Sequence, residues 1–302
     1  VNHALHKAKQ ILPPLLKVAV IIVCIYFLYE QWQKQPPRLD QMWEHVLGLS
    51  WWILPLMVTL SLASWMVESK KWQVLVRDLY DLSFRESVTQ NLTAQAASYI
   101  TPLRSGEFIA KALYFPAAQR KSITQRVFAG NYCQMMITLT LGFTALFFHE
   151  IFDLHLNYLY GTGIATVMLS IFIAYLWLSK KLNMGALSSN LWFSTLFWSL
   201  LRYLIFASNW LIILYSLGTK NVLTMTLINV AVFYLAVSII PMIQLFDMPF
   251  RWGIVSIIFA GATYSFDTII LATTIVWLTN SVFPTLIGCA LLPFQPIKLK
   301  PA

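Results

Sequence analysis

The sequence predicts an all-α polytopic membrane protein of about eight transmembrane helices, with a re-entrant helix pair and a hint of an internal repeat. Three observations predict it. Hydrophobic residues make up 58% of the 302 and charged residues 11%, too little charge to clothe a soluble domain of that length. Apolar runs of about 18 or more residues recur along the chain, each long enough to cross a hydrocarbon core. Lys and Arg gather in alternate loops.

The first element is the apolar run 15–29, preceded by His3, His6, Lys7 and Lys9. It is built like a signal sequence, but Tyr29-Glu30-Gln31-Trp32 follows in place of a small-residue cleavage site, so a retained span is expected. Spans are expected at 12–32, 50–67, 126–148, 157–178, 191–217, 222–243, 252–266 and 268–292, within a single transmembrane domain over 1–302. Backbone polar groups must be paired in lipid, so each is read as a helix; the short alternating segments of a β-barrel are absent from the sequence. With the N-terminus in the cytoplasm, 16 of the 21 Lys and Arg fall inside and 3 outside, among them those of the loop 33–49. This places both termini in the cytoplasm and the protein in the plasma (inner) membrane. The net charge of +9 is therefore assigned to topology, and nucleic acid is not an expected partner. Trp32, Trp51, Trp52, Trp72, Tyr158, Tyr160, Trp192 and Tyr215 fall near span ends and suit the membrane interface. Cys24, Cys133 and Cys289 sit in apolar runs and read as small apolar residues.

Two segments break the pattern. In 84–116, a helix-compatible stretch rich in Ser, Thr, Asn and Gln stops at Pro102, and a second helical pattern opens at Ser105-Gly106-Glu107. Such a pair is tolerated at membrane depth only when buried in protein or lining a cavity. In 238–253, Pro241, Asp247, Pro249, Arg251 and Gly253 interrupt the chain. Interrupted segments in both halves of a membrane protein point to a binding site. Each break carries Pro, then Arg, then Gly, which is the hint of a repeat.

The candidate lipid- or anion-binding residues are Arg104, Glu107, Lys111, Arg251, Arg202 and Asn131. Arg104 precedes a helix N-terminus, where free N–H groups and a guanidinium together suit a phosphate; the competing account is an interfacial Arg paired with Glu107. Glu107 and Lys111 are spaced as an i,i+4 ion pair, and Glu107 can also hold Arg104. Arg251 repeats this logic beside Asp247, against the plain reading of a cytoplasmic loop charge. Arg202 lies inside a span with no acidic residue within a turn, and at depth it needs a partner or a wet cavity. Asn131, with Gln134 one turn on, and the span residues Asn229 and Asn280 are more often interhelical hydrogen bonds than ligand contacts. Glu68, Lys70 and Lys71 read as the cytoplasmic end of the second span, touching headgroups or merely marking topology. No metal, P-loop or hydrolase motif is present in the sequence, so no cofactor and no catalytic residue is expected.

Pro102-Leu103-Arg104-Ser105-Gly106-Glu107 and the upstream Glu68-Ser69-Lys70-Lys71-Trp72 resemble motifs of the flippase-like membrane domain of the lysylphosphatidylglycerol synthase family. The family's second turn ends in G-x-R-E, where this chain has Phe250-Arg251-Trp252-Gly253, so the role of that acidic residue does not carry over. Synthases of the family also carry a soluble aminoacyl-transfer domain. The sequence stops at Ala302, soon after the last span, and no aminoacyl-lipid synthesis is expected of it. The resemblance implies lipid handling: binding an anionic, aminoacylated or polyprenyl-phosphate lipid and moving it between leaflets. Two alternatives stay open. One is a membrane-embedded transferase acting on a lipid carrier, with Glu107 or Asp247 as its base. The other is a non-transporting accessory subunit bound to a membrane protein partner; a homo-oligomer is also left open.

Overall fold

The computed structural model describes residues 29, 33, 39–101, 104–148, 188–218, 223–239, 247–259 and 264–294, and these are helical apart from short connections. The expected span 157–178, nearly all of 12–32, and both Pro102 and Pro241 lie outside the described residues.

The first helix described in full is α1, Leu39–Gly48, which meets α2, Ile53–Val76, at a bend of 85°. The sequence ended this second span at residue 67, because the charges after it lower the hydropathy. The helix instead runs on through Glu68, Lys71 and Trp72, all buried. At 1.5 Å per residue α2 is about 36 Å long.

The polar segment folds as two helices, α3, Phe84–Tyr99, and α4, Ser105–Leu113. Ser83 starts α3 through a capping box: its hydroxyl accepts the Glu86 N–H, and the Glu86 carboxylate accepts the Ser83 N–H. α3 and α4 run antiparallel, since Thr93 meets Tyr114 at one end and Ala97 meets Gly106 at the other. Past the exposed Arg85 and Glu86 of its first turn, α3 buries Ser87, Gln90, Asn91, Thr93, Gln95 and Ser98, as a helix of this composition requires in a membrane protein. Ser87 donates to the Ser69 carbonyl, Asn91 to the Ser69 hydroxyl, and Gln90 accepts from the Trp72 indole.

After a short 3-10 turn come α5, Arg120–Phe147; α6, Ser189–Ser216; α7, Leu223–Ile239; and α8, Met248–Ile258. The expected span 252–266 corresponds to α8, which has 11 residues and starts at Met248 with Pro249 in its first turn. The last rod begins at Ser265, whose side chain accepts the Thr268 N–H. It comprises α9, Phe266–Trp277, a π turn over Leu278–Val282, α10, Phe283–Leu291, and a 3-10 turn to Phe294. Two helices, Ser189–Ser216 and Phe266–Phe294, are each long and apolar enough to cross a membrane. The bent pair α1–α2 passes the same test when taken together.

α2 packs most extensively on α6, antiparallel to it, and α3 lies antiparallel to α10. α5 packs on α6 and α7. Three glycines permit close approach. A Cβ on Gly106 would strike the Ala97 carbonyl, one on Gly288 the Leu92 carbonyl, and one on Gly142 the Leu235 side chain.

The apolar core is in two parts. One joins the start of α2, the end of α5 and α6–α9, around Met57, Trp210, Phe233 and Phe259. The other joins the end of α2 to the start of α5, around Trp72, Leu75, Phe115 and Ile123. Between them along α2 and α6 lie Ser61, Ser64, Glu68, Thr195, Ser199 and Arg202, all buried.

Candidate functional site

That polar layer holds two linked charge clusters. In the first, Glu68 on α2 faces Lys71 Nζ at 2.6 Å and Arg202 Nη1 at 2.9 Å. All three are buried, with Lys71 only 1% exposed. Arg202 thus has the partner its depth demands, and it comes from another helix. Its guanidinium also lies 4.8 Å from the Trp65 ring centre and 4.9 Å from that of Phe206.

The second cluster stands on the hairpin. Glu107 takes Lys111 Nζ at 2.9 Å, Asn131 Nδ2 at 3.2 Å and Arg104 Nη2 at 3.7 Å. Glu107 and Lys111 are buried, whereas the Arg104 side chain is 44% exposed. Arg104 also donates to Gln95 Oε1 at 3.2 Å, and Gln95 Nε2 donates to Thr285 on α10. The clusters adjoin: Lys111 stacks over the Trp72 ring at 4.5 Å and acts electrostatically on Glu68, as Glu68 does on Glu107. Lys71 also donates to the Gly130 carbonyl of α5 at 3.4 Å.

Arg104 is the helix-starting residue of α4 and has φ of 57°, the left-handed region that an L residue avoids. Among the described residues it is the one non-glycine there. Such a conformation persists only where its surroundings fix it. Here Gly106 N–H donates to Thr101 Oγ1, and the close approach to Ala97 locks the turn.

The two clusters hold four cations, Lys71, Lys111, Arg202 and Arg104, against two carboxylates, Glu68 and Glu107. On the same stretch of α2 and α6, the Arg202 Nε, the Trp65 indole N–H and the hydroxyls of Ser64 and Ser199 are buried without a hydrogen-bond partner among the described residues. Buried charges are ordinarily matched, and four cations against two carboxylates leave this layer with net positive charge.

The second break is different. Arg251 meets Asp247 through both Nε and Nη2 at 2.8 Å, and Asp247 also accepts from the Trp277 indole at 3.0 Å. Arg251 is therefore matched by its own carboxylate. Asp247 and Arg251 both act electrostatically on the Tyr99 hydroxyl at the end of α3, which brings the second break to the end of the hairpin.

Of the sequence candidates, Arg104, Glu107, Lys111 and Asn131 converge, and Arg202 joins them through Glu68. Glu68 and Lys71, read from sequence as the end of a span, sit at the centre. The signal that could have placed them is helical phase: Ser61, Ser64, Trp65, Glu68, Lys71 and Trp72 form one stripe at i, i+3 and i+4. Asn280 accepts from Asn209 Nδ2 at 2.7 Å, the interhelical hydrogen bond expected of such residues.

The family model described as Lysylphosphatidylglycerol synthase TM region matches residues 15–288, from before α1 into α10. No curated protein matches the chain.

Proposed function

The chain belongs to the family of the lysylphosphatidylglycerol synthase TM region, a group of membrane proteins related to lipid modification or flipping, and on that premise we propose that it binds an anionic lipid headgroup and moves it between leaflets. The observation that carries the reading is the surplus of positive charge in the polar layer. Uncompensated charge at membrane depth is costly, and a phosphate removes that cost by supplying both charge and acceptor oxygens. Arg104 is the half-exposed entrance. Lys111, Lys71 and Arg202 form the inner cation row, with Glu68 and Glu107 setting their positions. Arg251, matched by Asp247, holds the neighbouring break in place. The acyl chains stay in lipid, and the headgroup crosses along the layer as the hairpin shifts.

The lipid class is anionic, aminoacylated or polyprenyl-phosphate, and their shared feature is the phosphate. A transferase acting on a lipid carrier is the second reading, and its two carboxylates, Glu107 and Asp247, are each engaged by two or more donors.

A dithionite assay tests the proposal. Vesicles containing the purified chain and headgroup-labelled fluorescent phosphatidylglycerol should lose nearly all emission, instead of the outer-leaflet half. Labelled phosphatidylcholine should be bleached only by half. Equal bleaching of both to half, with the chain folded in the vesicles, contradicts translocation of this class.

A further inference from the structure

The geometry points to α1 as an interfacial helix that lies in the outer leaflet of the bilayer and takes the lipid headgroup–acyl boundary as its partner. This is independent of what the charged layer binds.

Helix α1 is clean in its division of faces. Met42 and Val46, four residues apart, pack against the larger apolar core. Beside them on the helix surface are Trp43 and Leu47, also four apart, and these are 63% and 67% exposed. Asp40, Glu44 and His45 occupy the other side and are exposed. The apolar arc is thus half spent on protein and half open, while the polar arc faces away from both. At the corner that follows, Trp51 is 87% and Trp52 49% exposed.

The 85° bend decides what the open half meets. A bent apolar pair can be a broken span, a re-entrant loop, or a full span with a helix lying across its end. Either of the first two would put Asp40, Glu44 and His45 in hydrocarbon, where ionisable groups are costly. Neither is needed, since the 24 residues of α2 reach about 36 Å, more than the ~30 Å of a hydrocarbon core. With α2 upright, α1 is close to the membrane plane. Its open stripe then dips into the acyl boundary and its acidic side faces water, as amphipathic interfacial helices do. Trp43, Trp51 and Trp52 have the amphipathic rings that favour this level. The helix carries no Lys or Arg, so its hold on the bilayer is apolar and aromatic and does not depend on anionic lipid. The distribution of Lys and Arg puts this end of α2 on the non-cytoplasmic side.

The test is nitroxide accessibility in vesicles of mixed phosphatidylcholine and phosphatidylglycerol. Single labels are placed through Trp43→Cys, Leu47→Cys and Glu44→Cys, with Cys24, Cys133 and Cys289 changed to Ala. Labels at 43 and 47 should be several-fold more accessible to oxygen than to a water-soluble nickel complex, and the label at 44 should show the reverse. Nickel access at 43 and 47 equal to that at 44 would place the helix in water and overturn the proposal. Loss of access to both reagents at 43 and 47 would mean that a protein, a second copy or a partner, covers the stripe, and would also overturn it. A second measurement keeps the native cysteines. Lipids brominated near the headgroup should quench the emission that Trp43→Phe removes, and failure to quench it contradicts the proposal by itself.

Discussion

Glu68 is one carboxylate between two cations, and its removal should differ from the removal of either. Replacing Glu68 with Gln leaves Lys71 and Arg202 side by side in a buried layer. Replacing Arg202 with Gln leaves a matched Glu68–Lys71 pair at 2.6 Å. Breaking a buried ion pair by deleting one partner costs about 3–5 kcal/mol. Glu68→Gln should lie in that range, and Arg202→Gln should cost well under half as much. Thermal unfolding in detergent checks the order, and an equal loss would mean that the cationic surplus is not real. The same residues mark what the sequence could and could not yield. Arg104, Glu107 and Lys111 were legible because a Pro–Gly break and an i,i+4 spacing are local signals, whereas Asn131 showed in the sequence only as a polar residue on a span face. Glu68 and Lys71 were misplaced because hydropathy treats a charge as the end of a span, whereas a charge matched across the helix interface extends it. The Arg202–Glu68 contact spans 134 positions in sequence, and no local rule reports such a pairing.

Among the elements, α3 has the most exacting surroundings. It is polar, buried, and approached at backbone distance by α4 through Gly106 and by α10 through Gly288. A Cβ on Gly106 would lie 2.7 Å from Thr101 Oγ1, and one on Gly288 would lie 3.2 Å from the Ala96 Cβ, besides striking the two carbonyls. Backbone cannot yield as a flexible side chain does. Gly106→Ala and Gly288→Ala should each destabilise by about 1–3 kcal/mol, the usual cost of overpacking. Gly48→Ala, with nothing within 4 Å of the added carbon, should change stability by less than about 1 kcal/mol. Unfolding midpoints of the three variants decide it; equal behaviour would contradict the close packing of α3. The helical hairpin was legible in the sequence from its polar composition and its stop. The partnership of α3 with α10 was not, because Gly288 looks like any glycine of an apolar run. The span expected at 252–266 was already short by its Pro and Gly breaks, and α8, Met248–Ile258, is shorter still.

At the scale of the whole molecule, two apolar cores are separated by a polar layer that carries more positive than negative charge. The membrane class was plain from composition, because length and charge content leave a soluble fold without a surface. The layer itself depends on how α2, α4, α5 and α6 are brought together, and it follows only from the packing. Its charge surplus is the central claim, because it turns a set of ion pairs into a site for an anion. The most direct test is mass spectrometry of the lipids that the purified protein retains, with wild type beside Arg104→Ala, whose half-exposed side chain can be lost without opening a core cavity. Strong enrichment of one phosphate-bearing anionic lipid class is expected in the wild type, and its loss in the variant. A retained-lipid profile that matches the bulk membrane in both proteins would contradict it, and would leave the four cations as structural charges only.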